Sequence, residues 1–199
     1  MYNVYLFNAV GAGPAGNNTV PAATLTTIAQ LLTEDFNKVV AAHDAKAAQK
    51  YGGVQVTWTM TPAPQDDELL LYFLPTGATI AEARVLKQGS PPPNHDGLTS
   101  FKDGTTASEA YFTNSDPQVL ANLFFHEFMH NKLHLGNSMH DHHDGLGATP
   151  VGPNTPLTKA NIAEMGAALG KKQPQWTGGV PILTAAVNVP DSDPSKGLF

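Results

Sequence analysis

Residues 115–137 read as a helix whose composition favours burial but whose middle also carries polar and ionisable side chains. Ser115 or Asp116 caps it, and Pro117 fits the first turn, where a backbone N–H would have no partner in any case. Val119, Leu120, Leu123, Phe124, Phe128 and Leu133 recur at helical spacing, and Phe125 and Met129 widen the apolar surface. Gly136 and Asn137 tolerate a positive φ, so the helix is expected to end there. Inside this apolar segment stand His126, Glu127 and His130. Burying polar groups without partners costs roughly 2 kcal/mol or more each, so a fold that buries this helix has to give the imidazoles something to bind.

Six of the eight histidines lie between residues 124 and 143, and cysteine is absent, so a metal here would be held by His, Asp or Glu. His126 and His130 are four residues apart, which puts both on one helix face with side-chain origins about 6 Å apart. Both can converge on Zn²⁺ at ~2.1 Å. Glu127 projects beside them, where it can take a proton from a water that zinc has acidified toward a pKa of about 7. His134 extends the ladder, but its eight-residue distance from His126 is about 12 Å along the axis, too far to share one ion. One adjacent pair therefore binds, and a residue beyond the helix completes the set. His140 is the natural third ligand, with Asp141, His142, His143 and Glu164 as substitutes.

The 199 residues suit one domain or two small lobes around a cleft, and an apolar fraction of 41% is enough for a core. A net charge of −6 without a basic run argues against nucleic acid as a partner. No stretch of 18 apolar residues occurs, so no membrane span is expected. The opening MYNVYLFNAV lacks the basic start and apolar core of a signal peptide, which leaves open a cytoplasmic chain or a secreted form whose leader was removed.

Strands are expected over residues 2–10, 54–60, 68–75 and 108–113, with a strand or short helix over 79–86. Apolar residues from Leu25 to Val40 predict one long helix over 22–50, stopped by Gly52-Gly53. Residues 87–106, with three successive prolines, read as a loop. A further helix is expected over 156–172, starting near Thr158, and one more strand over 180–189. Tyr111-Phe112 could border a groove, with core packing at least as good a reading, and His95 and Asp96 could lie over a cleft, with a plain turn the preferred reading. Asn17 heads an Asn-x-Thr triplet that carries little weight.

HEFMH, with this order of elements around it, resembles the zinc-dependent metallopeptidases (zincins), and their metzincin clan in particular. The resemblance implies an α+β, zincin-like fold. It would have an N-terminal mixed twisted sheet with a long backing helix, an HExxH active-site helix, and a small irregular C-terminal lobe ending in a helix. It implies a single catalytic domain over 1–199, with an upper lobe 1–135 and a lower lobe 136–199. It also implies a Zn²⁺ cofactor, peptide or protein substrates bound along a sheet edge, and Glu127 as general base. Two registers compete. His130, His134 and His140 stand at the metzincin ligand spacing, but then Asn131 takes the place of the base and Asn137 that of the helix-ending glycine. Ala148 and Pro150 fall where relatives read Met-x-Pro, and Asn161 replaces the aspartate of their closing helix. The other register keeps HEFMH intact with His126, Glu127 and His130, and needs its third ligand ten residues on, at His140. This second register is preferred, because an intact HExxH on the right helix is the less ready accident. The first would give a non-catalytic zinc-binding pseudo-peptidase or interaction module. A thermolysin-like variant would take Glu164 as third ligand.

Overall fold

The computed structural model describes residues 1–8, 10, 20–42, 52–59, 68–74, 96–102 and 105–171. Five strands form one mixed sheet: β1 (Tyr2–Asn8), β2 (Val54–Thr59), β3 (Leu69–Leu74), β4 (Gly97–Lys102) and β5 (Thr105–Tyr111), in the order β2-β1-β3-β5-β4. β1 runs parallel to β2 and β3, β3 runs parallel to β5, and only β4 is antiparallel to its neighbour. The central β3, LLLYFL, is buried along its whole length, as a strand covered on both faces must be. Its alternate residues divide the core. Leu69, Leu71 and Phe73 face the helices, while Leu70, Tyr72 and Leu74 join Phe7, Leu98, Ala107 and Tyr111 on the other face.

Helix α1 (Ala22–Ala42) backs the sheet through Leu25, Ile28, Leu32, Phe36, Val39 and Val40. It also covers the β2 edge. Asn37 Oδ1 accepts the Val54 N–H at 3.1 Å and its Nδ2 donates to Val54 O at 3.2 Å, so a side chain stands in for a neighbouring strand. Both Gly52 and Gly53, just before β2, have positive φ, at 57° and 96°.

Helix α2 (Pro117–Leu133) packs beside α1 on the same face of the sheet. Asp116 caps it, accepting the Gln118 N–H at 2.8 Å. Phe125 and Phe128 meet Phe36 with ring centroids 5.1 and 5.6 Å apart, and Phe124 meets Phe73 at 5.1 Å. Burial of each such ring contributes about 2–3 kcal/mol, which offsets the cost of carrying His126, Glu127 and His130 into the same interior. The short helix α3 (Ser138–His142), a single 3-10 turn at Gly145–Gly147 and helix α4 (Lys159–Ala168) make a small irregular lobe below α2. Thr158 and Asn161 form a capping box at the start of α4. Among the described residues no helix is long and apolar enough to cross a membrane.

Two expectations change here. The segment expected to be a loop over 87–106 contains β4 and the start of β5, paired from Gly97↔Ala110 to Lys102↔Thr105. The alternation Leu98, Ser100, Lys102 against Gly97, Thr99, Phe101, followed by Asp103-Gly104, was a hairpin signal in the sequence that the nearby prolines obscured. Helix α2 ends three residues earlier than expected. His134 itself adopts the left-handed conformation, with φ 56°, and its N–H returns to His130 O. The segments 79–86 and 180–189, together with His95 and Asn17, lie outside the described residues.

Candidate metal centre

His126 and His130 are one turn apart on α2, and both are buried. His140 arrives from α3, whose buried Met139 anchors it in the main core. The three Nε2 atoms converge: His126 to His130 is 3.1 Å, His130 to His140 3.0 Å, and His126 to His140 3.2 Å. Zinc at ~2.1 Å from each of three tetrahedral donors would separate them by about 3.4 Å, within a few tenths of an ångström of this arrangement.

The proton inventory also points to a cation. His126 Nδ1 lies 2.7 Å from Leu146 O and His130 Nδ1 lies 2.8 Å from Leu135 O. A carbonyl only accepts, so both Nδ1 atoms donate, and in neutral rings both Nε2 atoms carry bare lone pairs. Burial is the main reason the rings are neutral: it pushes His126 down to about 4 and His130 to about 2. The neighbouring histidines contribute to the lowering at His130. Two lone pairs facing each other at 3.1 Å repel unless a positive ion lies between them. The donor set therefore fits a metal, and an all-nitrogen set with a carboxylate alongside suits Zn²⁺.

Glu127 is almost fully buried and turns to the sheet side of the cleft, against β4. Thr99 Oγ1 lies 2.7 Å from Glu127 Oε2, close enough to donate a charge-assisted bond. Gly97, Leu123, Glu127, His126, His140 and Val151 line a cleft of about 320 Å³ that opens beside the histidines.

The other candidates go elsewhere. His134 packs its ring on Phe101, with centroids 4.2 Å apart, and Asn131 donates to Ser108 Oγ at 2.9 Å in the buried helix–sheet contact. The register built on His130, His134 and His140 does not assemble, because the turn at His134 swings that side chain to the sheet and away from the cleft. Glu164 pairs with His143 at 2.7 Å, and Asp141 is exposed on α3; neither belongs to the cluster of possible ligands among the described residues, which is His126, His130 and His140. Tyr111 turns to the far face of the sheet, where its hydroxyl donates to Glu109 Oε2 at 3.2 Å, and Phe112 packs on Phe73. Asp96 does line the cleft, where its carboxylate accepts from Thr113 Oγ1 at 2.6 Å.

Sequence reasoning missed the groups that aim the imidazoles. Two are main-chain carbonyls, Leu135 O and Leu146 O, which leave no trace in side-chain identity. A third is Asn161, fully buried, whose Oδ1 accepts the Leu146 N–H at 3.0 Å and whose Nδ2 donates to Asp144 O at 3.0 Å. Asn161 thus fixes the segment whose carbonyl holds His126. Replacing it with leucine should weaken zinc binding by about 10–100-fold with every ligand still present, measured by competition with a chromophoric chelator. An unchanged affinity would restrict Asn161 to capping α4.

The histidine–glutamate–x–x–histidine pair with a distal third histidine, on a helix below a mixed sheet, matches a zincin-type HExxH zinc-binding site. No protein-family model, no curated protein and no solved structure matches the chain.

Proposed function

We propose that this chain is a zinc-dependent metalloendopeptidase, a single catalytic domain with an upper lobe over 1–135 and a lower lobe over 136–199. The observation that carries the reading is the meeting of three imidazole Nε2 atoms within 3.2 Å of one another, with Glu127 next in sequence to the first. His126, His130 and His140 would hold the metal, the three protein donors that catalytic zinc sites commonly use. When bound, zinc supplies a Lewis acid that polarises the scissile carbonyl and acidifies water. Glu127 accepts the proton of the attacking water and passes it to the amide nitrogen as the C–N bond breaks.

Substrate positioning rests on β4. Among the described residues it pairs only with β5, so its outer edge has main-chain donors and acceptors for an extended peptide. Strand addition of this kind reads backbone more than side chains, which suits a peptide or protein substrate of loose sequence preference. Leu123, Pro150 and Val151 supply an apolar wall for one substrate side chain. Chelation should abolish cleavage of an unfolded protein such as casein, and one equivalent of zinc should restore it. Cleavage that survives complete metal removal would sink the proposal.

A further inference from the structure

The inner row of β4 reads Gly97, Thr99, Phe101, and each of these residues meets the sheet-facing side of α2. Phe101 takes His134 at the far end, and Thr99 and Gly97 take Glu127 at the cleft end. A side chain at Gly97 would force Glu127 out of its place. A Cβ there would collide with Glu127 Oε1 and lie 2.9 Å from both Cδ and Cγ, closer than real Cβ atoms come. The backbone conformation of Gly97 gives no other reason for glycine, since its φ is not positive. Thr99 is fully buried, and its Oγ1 sits 2.7 Å from Glu127 Oε2, 3.0 Å from Glu127 O and 3.0 Å from Ser108 Oγ. A hydroxyl has one proton to give, and the carboxylate is the strongest of these acceptors. The Ser108 hydroxyl and the Asn131 amide behind it extend the network, with Asn131 Nδ2 2.9 Å from Ser108 Oγ.

We propose that Gly97 and Thr99 are positioning residues for Glu127: the bare Cα of Gly97 makes the space its carboxylate occupies, and the Thr99 hydroxyl fixes which way that carboxylate faces. The inference rests on the reading of Glu127 as general base. Its physical content is orientation. A glutamate has three rotatable bonds, and a base that must meet a water at hydrogen-bond distance loses rate steeply when displaced; an error of about 1 Å can cost on the order of 100-fold. β4 would then have two tasks, offering its outer edge to a peptide and its inner row to the carboxylate, so that substrate and base are referenced to one strand.

The test uses the zinc-loaded full chain and four variants. Thr99→Val keeps the shape and removes the donor, Thr99→Ser keeps the donor, Gly97→Ala fills the space, and Glu127→Gln controls for the base. Thr99→Val and Gly97→Ala should keep one zinc per chain and a KM within about twofold, while kcat falls by roughly 10–100-fold. Thr99→Ser should recover most of kcat, which a purely packing role for threonine would not give. Crystals of metal-free Thr99→Val should show the Glu127 carboxylate turned from its place beside residue 99. Wild-type kcat in both Thr99→Val and Gly97→Ala, with Glu127→Gln inert, would overturn this inference alone. Full cleavage by Glu127→Gln would overturn the base reading and this inference with it.

Discussion

Glu127→Gln should leave the protein folded and zinc-loaded and reduce peptide cleavage by about 10²–10⁴-fold, the range a positioned general base commonly contributes. The substitution is nearly isosteric, so the tight fit against Gly97 survives. The amide can still accept from Thr99 through its oxygen, so the hydrogen bond at 2.7 Å has a replacement partner. What disappears is the ability to take a proton. His126 and His130 keep their orienting bonds because these go to Leu146 O and Leu135 O, main-chain groups that the substitution leaves in place. Zinc content by atomic absorption and turnover of a fluorogenic peptide separate the two effects. Wild-type turnover in this variant would remove Glu127 from the chemistry.

His126→Ala should lose zinc and His134→Ala should keep it. His126 contributes one of three converging Nε2 atoms, and its loss leaves two donors on a site built for three. The affinity loss should exceed the roughly 10–100-fold that follows from disturbing an outer hydrogen bond, so dialysed protein should come out metal-free. His134→Ala touches a ring that packs on Phe101 and should leave zinc at one per chain. Its cost should be one of stability, because removing the ring opens space beside a buried phenylalanine. Zinc analysis after dialysis decides the matter. Retention by His126→Ala with loss by His134→Ala would restore the register that has Asn131 in the position of the base.

The periodicities of the chain determined most of its elements. Leu25 to Val40 specify α1, LLLYFL specifies a buried central strand, and Asp116-Pro117 sets the start of α2, because each rests on interactions within a few residues. The pair His126–His130 was equally legible, since four residues on a helix fix the separation of two side chains before any packing occurs. The third ligand was legible as well, since both registers place it at His140, which joins the cluster; the fate of His134 was not. By spacing alone His130 could belong to a set with His126 or with His134, and the intact HExxH favoured the first without separating the two. The tertiary structure does so through one backbone torsion. His134 enters the left-handed region, α2 stops, Leu135 O turns back to His130, and α3 delivers His140 to the side where His126 already points. The setting of Glu127 is also a product of tertiary structure, because Gly97 and Thr99 come from a strand about thirty residues away and act through a missing atom and a single hydroxyl. Local spacing follows from covalent geometry and is written in the order of residues. Which of several permitted groups meet is decided only when distant segments compete for the same few ångströms of interior, and that competition exists only in the folded chain.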